Sequence, residues 1–499
     1  MEQQFVLALD QGTTSSRAVL YDRNCRVVGM AQREFAQVYP RPGEVEHDAM
    51  EIWESQRAVA QKVLADARVR DDQIAAVGVT NQRETVVVWE RATGKPIGNA
   101  IVWQDRRTAA MCEQLRKDGH EPLLAARTGL VVDPYFTATK LRWILDHHEG
   151  ARAAAERGEL CAGTIDSWIV FCMTNGKTHA TDASNASRTM LFDIHRGQWD
   201  DELLALFSVP RRMLPEVRDS SGRIAEVASG LPAAGAPIAG IAGDQQAALF
   251  GQLCHKKGLA KSTYGTGCFL LLHTGDEPVV SKNRLLTTVA WRIAGKLEYA
   301  LEGAVFTGGA VVQWLRDELR IVASARECDE LAQSVPDTGG VFLVPAFAGL
   351  GAPHWDPFAR GSLLGLTRGS SRAHVCRAAL QGIALQVEDL VDCMQKDSGI
   401  RLEELRVDGG ACRSDVLMQM QADLLGAPVV RPADVESTAR GAAMLAGLGV
   451  GFYSRDGLQK AQQGSVRIAP RGSSIELDGM RAGWRRAIAA SRAFGSAMG

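Results

Sequence analysis

No run of apolar residues in this 499-residue chain reaches the roughly 18 residues that a membrane-spanning helix needs. The N-terminus leads into an apolar segment without the pattern of a signal peptide, so we expect no export signal. The formal net charge is only −2, which gives no electrostatic footprint for nucleic acid or for an anionic membrane. We therefore predict neither a nucleic-acid partner nor membrane insertion.

Metal-binding cysteine motifs are also missing. The 10 cysteines are scattered, with no Cys-x-x-Cys pair and no His/Cys cluster at zinc-ligand spacing. None of the 10 histidines has a companion that suggests a metal site, so we interpret all of them as structural or solvated. Scattered thiols of this kind are typical of reduced proteins, and the predicted location is cytoplasmic.

Length and an internal repeat predict two domains. A single hydrophobic core rarely grows past roughly 250–300 residues, and this chain is longer. An apolar strand, a Gly/Thr-rich loop and a returning strand occur at residues 5–22, and the same succession occurs at residues 259–273. An internal duplication explains both. We predict an N-terminal domain over residues 1–252 and a C-terminal domain over residues 253–499.

The loop after the first strand has the composition of a phosphate-binding turn. Residues 5–9 are apolar throughout and predict a buried strand, which Asp10 follows directly. Gly12 lets the backbone turn, and the four residues after it carry hydroxyl groups that could donate to an anion. The motif Gly-x-x-x-x-Gly-Lys-Ser/Thr is absent. A simple polar turn is the alternative, but a carboxylate beside a buried strand is costly unless a cation meets it.

Polar segments end several other predicted strands, at residues 80–85, 103–107 and 243–246. Ligands in α/β sheets bind at the carboxyl ends of strands, so these segments predict a site.

Among the helices, Asp48 is a predicted N-cap with Glu51 completing a capping box. Residues 438–448, rich in Ala and Gly, predict a helix packed closely on a neighbour.

Two hairpin loops and a late Gly-Gly turn at residues 409–411 form the pattern of the actin-like ATPase fold. The chain resembles the FGGY family of carbohydrate kinases over nearly its whole length. The strings that carry this resemblance are residues 8–17, 80–85, 135–147 with Lys140 and Trp143, 243–252, 264–269 and 361–381. The resemblance implies an α/β fold of two similar actin-like (ribonuclease H-like) domains, with mixed sheets flanked by helices and a nucleotide cleft between the domains.

The resemblance also implies an activity. Within the family the strings favour a kinase that phosphorylates glycerol to sn-glycerol 3-phosphate, with ATP and Mg²⁺, and that forms a homo-oligomer, a dimer or a tetramer. A kinase for another polyol or a ketose is the alternative within the family. An actin-like ATPase without a sugar acceptor, such as a chaperone-type ATPase or a filament protein, is the alternative from another class.

Site residues follow from the resemblance, position by position. Asp244 would be the general base. Glycerol, a triol, would contact charged groups and a flat apolar wall. Both are supplied by Arg83, Glu84, Trp103, Tyr135, Asp244, Gln245 and Phe269. The nucleotide would contact Thr13, Thr14, Ser15, Arg17, Thr266, Gly267, Gly309, Gln313, Gly410, Ala411 and Ser414. Asp10 would hold Mg²⁺, directly or through water.

Ordinary structural roles remain open for several of these residues. Asp244 could cap a helix, and Arg83 with Glu84 could be a surface ion pair contributing about 0–1 kcal/mol. Trp103 and Phe269 could belong to the core, and Tyr135 could be a loop aromatic.

One loop departs from a family pattern. Some bacterial relatives bind fructose 1,6-bisphosphate through a Gly-Gly-Thr-Arg loop, and residues 233–236 read Ala-Ala-Gly-Ala here. We therefore expect weak or absent inhibition by that bisphosphate.

Overall fold

The computed structural model describes residues 4–433, 436–460, 464–472 and 474–496, which form an α/β fold. Of the helices in these ranges, none combines the length and apolar character that crossing a membrane requires. The strands are β1 Phe5–Gln11, β2 Ser15–Tyr21, β3 Val27–Glu34, β4 Glu46–His47, β5 Ile74–Asn81, β6 Val86–Glu90, β7 Ala100–Ile101, β8 Leu160–Thr164, β9 Ala180–Asp182, β10 Phe192–Asp193, β11 Gln198–Trp199, β12 Glu216–Arg218, β13 Ser221–Glu226, β14 Pro237–Gly243, β15 Leu259–Tyr264, β16 Cys268–Gly275, β17 Leu286–Ile293, β18 Lys296–Val305, β19 Phe342–Val344, β20 Ser362–Leu364, β21 Glu404–Asp408, β22 Val429–Arg431 and β23 Val466–Ile468.

The α-helices connect and cover these strands. They are α1 Ala49–Asp66, α2 Ala109–Lys117, α3 Glu121–Thr128, α4 Thr137–His147, α5 Ala151–Arg157, α6 Ile165–Met173, α7 Ala183–Ala186, α8 Asp201–Leu206, α9 Asp244–Gly251, α10 Ala310–Asp317, α11 Ala325–Gln333, α12 Arg372–Ser398, α13 Asp415–Leu425, α14 Ser437–Gly449, α15 Arg455–Lys460 and α16 Ser474–Ser496. Short 3₁₀ turns lie at Asp71–Gln73, Arg211–Met213 and Gly410–Arg413.

The predicted duplication is visible in the strand order. In the first half the order is β3-β2-β1-β5-β14, with β1, β5 and β14 parallel and β2 antiparallel. In the second half β18-β16-β15-β21-β22 repeats this order and these directions. The boundary between residues 252 and 253 stays a prediction.

The two repeats share one long mixed sheet instead of forming separate sheets. Its order is β23-β22-β21-β15-β16-β18-β17-β13-β14-β5-β1-β2-β3, and the halves meet where Ser221 of β13 pairs with Ile293 of β17. A smaller sheet, β4-β7-β6-β8, lies apart from it.

Register within the sheet brings the polar strand ends together. Asp10 at the end of β1 pairs with Thr80 of β5, and Thr80 pairs with Ala242 of β14. One residue further, Gln11, Asn81 and Gly243 form the next row, so the loops that follow all three strands leave from the same edge. This is the edge at which the sequence predicts a ligand site.

Helix α14 belongs to the second half of the chain but packs on the first half. A Cβ on Gly78 of β5 would lie 2.2 Å from the carbonyl oxygen of Ala442. Where α14 crosses α9, a Cβ on Gly441 would lie 1.8 Å from the carbonyl oxygen of Ala247. The backbones approach so closely because glycine and alanine occupy the crossing points, which confirms the predicted close packing of this helix.

Both faces of the first-half sheet are thereby covered. Alternate residues of β1 and β5, such as Leu7 and Val77, are buried against α1 and α6. The intervening residues, such as Val6 and Ala76, are buried with the alanines of α14.

At α1 one prediction is confirmed and one is wrong. Asp48 caps the helix by accepting from Met50 N at 2.7 Å and Glu51 N at 3.2 Å. The capping box is absent because the Glu51 carboxylate accepts instead from the backbone N–H of Ala36, at 3.1 Å. That N–H lies beyond the end of β3, where no strand partner satisfies it.

Candidate active site

The first phosphate-type loop, residues 12–14, is fixed through its backbone. Gly12 N donates to Ser15 O at 3.0 Å and closes the turn. Side-chain amides hold the loop carbonyls: Gln82 Nε2 donates to Gly12 O at 3.2 Å and Gln37 Nε2 donates to Thr13 O at 3.1 Å. Thr13 and Ser15 are partly exposed and Thr14 is exposed, so the hydroxyl groups are accessible to an anion.

His47 contacts the two side-chain amides that hold this loop. Its ring nitrogens lie 2.7 Å from Gln37 Oε1 and 3.3 Å from Gln82 Nε2, the two amides that hold the loop carbonyls. Burial lowers the pKa of His47 to about 4, so the ring is neutral at pH 7 and can accept as well as donate. These contacts give His47 a structural role, one of the two roles, structural or solvated, that the sequence predicts for the histidines.

The second loop, residues 265–267, is held against the start of α10. Gly308 N donates to Thr266 O at 2.7 Å, and Gly309 N donates to Gly265 O at 2.8 Å. A Cβ on Gly309 would lie 2.7 Å from that same oxygen, so this approach requires glycine.

The late glycine turn lies beside the second loop. Gly409 has φ +85°, and a Cβ there would lie 2.6 Å from Tyr264 O, whereas a Cβ on Gly410 would meet no atom within 4 Å. A Cβ on Gly309 would lie 3.4 Å from Ala411 Cβ, so the predicted nucleotide residues of both turns are neighbours. Gly410 is therefore open to a ligand that lies against its backbone.

Two predicted nucleotide residues have further contacts around this turn. Ser414 caps α13 by accepting from Leu417 N at 3.1 Å, and its hydroxyl donates to Asp329 at 2.7 Å. Gln313 is exposed on α10.

Arg83 and Glu84 are buried, so the alternative of a surface ion pair is wrong. Arg83 directs both terminal nitrogens at Glu302 of β18, at 2.5 and 3.0 Å. Its Nε lies 3.2 Å from Asp244 Oδ1, and the Glu84 carboxylate pairs with Arg188 at 2.6 Å.

The backbone of Glu84 is held in a left-handed conformation, with φ +61°. Its carbonyl oxygen accepts from Thr137 Oγ1 at 3.1 Å and from Lys140 Nζ at 3.5 Å, and Lys140 also donates to Tyr135 O at 2.7 Å. A non-glycine residue in this region costs about 1–3 kcal/mol and persists only where its surroundings hold it there. Helix α4 therefore fixes two of the predicted triol ligands relative to each other.

Asp244 is the first residue of α9, and Gly243 occupies the N-cap position. Its Oδ1 accepts from Gln245 N at 2.7 Å and lies near Arg83 Nε. Within the described residues Oδ2 accepts no hydrogen bond, and the side chain is 32% exposed. The carboxylate thus has one oxygen fixed and one available to a hydroxyl group of a substrate.

The aromatic residues are partly exposed and lie outside the fully buried core. The indole of Trp103 meets Tyr135 edge to face at 5.6 Å and donates from Nε1 to Thr13 Oγ1 at 3.0 Å. Phe269 lies on β16 opposite Thr263. Trp103 consequently joins the predicted triol wall to the first phosphate loop.

Asp10 is compatible with a Mg²⁺ site in which phosphate oxygens supply the other ligands. Burial raises the pKa of Asp10 to about 7, with Arg17 opposing this shift and Asp244 and Glu436 adding to it. Arg17 lies 3.9 Å from Asp10 and is hydrogen-bonded to Glu436. No cluster of three or more ligating side chains occurs in the ranges that the structure describes. Mg²⁺ commonly takes one or two carboxylates with phosphate and water, so a single carboxylate at this position is compatible with such a site.

Sequence reasoning missed four charged residues that line this region: Arg188, Lys261, Glu302 and Glu436. Lys261 is buried, hydrogen-bonded to Gln245, and donates to Thr263 at 3.0 Å. Glu302 interrupts an apolar strand, which is a signal that could have identified it. Lys261 begins a polar stretch, and Arg188 and Glu436 lie in polar segments, so these three carry no such signal.

Two domain models of one protein family match this chain. The N-terminal domain of the FGGY family of carbohydrate kinases matches residues 5–251, and the C-terminal domain of that family matches residues 260–450. A glycerol kinase of Trichlorobacter lovleyi is 59% identical, over 98% of this chain and 99% of that protein. A glycerol kinase of Deinococcus radiodurans is 56% identical, over 98% of each chain.

A solved structure extends the likeness to three dimensions. Glycerol kinase of Plasmodium falciparum, crystallised with ADP, matches with a TM-score of 0.94 and 33% identity over 98% of both chains. The two family domains together cover most of this chain, in the order in which its structure repeats. The chain belongs to the FGGY family of carbohydrate kinases.

Proposed function

We propose that this protein transfers the γ-phosphoryl group of ATP to a terminal hydroxyl of glycerol, giving sn-glycerol 3-phosphate and ADP. The observation that carries the proposal is the identity of 56–59% to proteins named glycerol kinase over nearly the full chain. The contact between Arg83 and Asp244 supports it, because an ATPase without a polyol acceptor has no need of this buried charged cluster.

In the proposed mechanism Asp244 is the general base. Its Oδ2 takes the proton of the attacking hydroxyl, while Arg83 and the Gln245 backbone hold Oδ1 in place. Arg83, Glu84, Tyr135 and Gln245 bind the hydroxyl groups of glycerol, and Trp103 and Phe269 face its carbon chain.

The two loops and the late glycine turn bind ATP. Thr13, Thr14 and Ser15 of the first loop and Thr266 and Gly267 of the second donate to phosphate oxygens. The remaining contacts to the nucleotide come from Gly309, Gln313, Gly410, Ala411 and Ser414. Arg17 offsets negative charge on the transferred group. Asp10 would hold Mg²⁺, which when bound would neutralise phosphate charge.

The test is ADP release from Mg-ATP with and without glycerol. Glycerol-dependent turnover of roughly 1–100 per second is expected, the usual range for kinases. Xylulose and ribulose serve as parallel acceptors. Turnover with a larger sugar but not with glycerol would support another kinase of the family, and turnover that ignores every acceptor would support an ATPase.

Fructose 1,6-bisphosphate is expected to inhibit weakly or not at all. The corresponding loop, residues 233–236, carries no cationic side chain, and its Ala233 N–H is already bonded to Asp71 at 2.7 Å. A bisphosphate requires cationic or free N–H donors, and this loop offers few of them. The measurement is glycerol-dependent ADP release over a titration of the bisphosphate. Strong inhibition at sub-millimolar concentration would contradict the expectation.

We also propose that the protein works in the cytoplasm as a homo-oligomer. All ten cysteines are free thiols in the structure, which suits a reducing compartment. Light scattering of the purified protein distinguishes a monomer from a dimer or a tetramer.

A further inference from the structure

Two buried arginines and two buried glutamates alternate in a closed ring beside Asp244. Glu302 accepts from Arg83 at 2.5 and 3.0 Å and from Arg188 at 3.0 Å. Arg188 donates to Glu84 at 2.6 Å, and Glu84 lies 3.9 Å from Arg83, which closes the ring. Each of the four residues is at most 3% exposed.

We infer that Glu302 and Arg188 are positioning residues for phosphoryl transfer, which hold Arg83 and Glu84 in the arrangement that leaves Asp244 available as a base. This inference rests on the proposed function. Neither Glu302 nor Arg188 is placed in contact with glycerol. They act through the two residues that are.

The ring joins the two halves of the chain at the site. Glu302 lies on β18 of the second half, whereas Arg83, Glu84 and Arg188 belong to the first half. Burial alone would raise the pKa of Glu302, but the charges of Arg188 and Arg83 lower it to about 2. Glu302 is therefore ionised at neutral pH, whereas burial raises the pKa of Glu84 against the opposing charges of Arg188 and Arg83.

Glu302 also determines which nitrogen atoms of Arg83 can contact Asp244. An arginine can pair with a carboxylate through both terminal nitrogens, the strongest arrangement available to it. Glu302 accepts from both of them, and Nη1 also donates to Gln246 Oε1 at 3.3 Å, so Asp244 meets only Nε, at 3.2 Å. Without Glu302, Nη2 loses its partner and Nη1 keeps only the longer contact with Gln246, so the guanidinium can turn to bind both oxygens of Asp244. Asp244 Oδ2 would then no longer be available to the substrate hydroxyl.

Arg188 holds the carboxylate of Glu84 in place, as Glu302 holds Arg83. It bridges Glu84 and Glu302 and lies 5.4 Å from the ring of Phe136 and 5.7 Å from that of Tyr135. Its Nη1 is buried and finds no hydrogen-bond partner among the residues that the structure describes. A guanidinium that leaves a donor unsatisfied is costly to bury, so its two carboxylate contacts must compensate for that cost.

The test compares Glu302→Gln with the wild type in glycerol-dependent ADP release. Misplacing the base is expected to lower kcat roughly 100-fold, while the KM for ATP changes less than about threefold. The double variant Glu302→Gln/Arg188→Gln also loses the contact that holds Glu84. Its kcat is expected to be no higher than that of the single variant, and a kcat restored to the wild-type value would overturn the inference.

The matched control is Glu298→Gln, which removes a carboxylate from the same strand at a position paired with His273. Its kcat is expected to equal that of the wild type. Unchanged kcat in Glu302→Gln, or a fall that Glu298→Gln shares, would overturn the inference and leave the proposed function intact. Absence of glycerol-dependent turnover in the wild type would instead overturn the proposed function, and the inference with it.

If the Glu302→Gln variant does not fold, the same measurement is made on the Arg188→Lys variant. Lysine keeps the charge but cannot contact Glu84 and Glu302 as a planar fork. A loss confined to kcat supports the inference, and kcat equal to that of the wild type overturns it.

Discussion

Replacing Asp244 with asparagine is expected to lower kcat for glycerol phosphorylation by roughly 10²–10⁴-fold, the usual contribution of a general base. Asparagine preserves the volume of the side chain and an oxygen that can accept from Gln245 N, now 2.7 Å from Oδ1. It cannot take a proton from the attacking hydroxyl. The loss should therefore fall on kcat, with ATP binding unchanged, as steady-state kinetics and nucleotide titration would measure.

Asp201→Asn is the matched control for this variant. Asp201 is the first residue of α8, as Asp244 is of α9, so both substitutions remove one negative charge from a helix N-terminus. Asp201 is exposed and pairs with Arg211, away from the candidate site. We expect wild-type kcat from this control. An Asp244→Asn enzyme that kept more than about a tenth of the activity would exclude Asp244 as the base.

The second large effect is expected on stability, at the crossing of α9 and α14. Gly441→Ala places a methyl group where the carbonyl oxygen of Ala247 would be 1.8 Å away. The two helices must then separate along their whole contact, because no flexible side chain can yield. Overpacking costs typically 1–3 kcal/mol, and a backbone clash lies at the upper end, so we expect a loss of about 3 kcal/mol in the free energy of unfolding.

Urea denaturation followed by circular dichroism measures this loss. Gly479→Ala on α16 is the control, because a Cβ there would meet no atom within 4 Å. Alanine is the better helix former by about 1 kcal/mol, so this control should be neutral or slightly stabilising. Equal stability of the two variants would show that the crossing adapts to a side chain.

The fold was largely accessible from sequence because its cues are local. The apolar residues 5–9 followed by Asp10 indicated a central strand, and the Ala/Gly composition of residues 438–448 indicated a closely packed helix. Both features are observed. The Glu51 capping box failed because its competitor, the N–H of Ala36, comes from another part of the chain.

The candidate site was accessible only in part. Residues that follow strands, such as Asp244, stand out because the apolar pattern stops there. The charged partners that position these residues do not stand out in the sequence. The pairing of Arg83 with Glu302, for example, spans more than two hundred positions. Glu302 could have been noticed as a lone charge in an apolar strand, but no local pattern names Arg83 and Arg188 as its partners.

The placement of α14 also sets the order in which the protein can complete its structure during synthesis. The sheet of the first half is finished by residue 243, but the helix that buries one of its faces ends at Gly449. At 5–20 residues per second, ribosomes need on the order of ten seconds or more to make the intervening segment. During that interval an apolar face of the nascent first half stays uncovered, so this half reaches its final packing only when the chain is nearly complete.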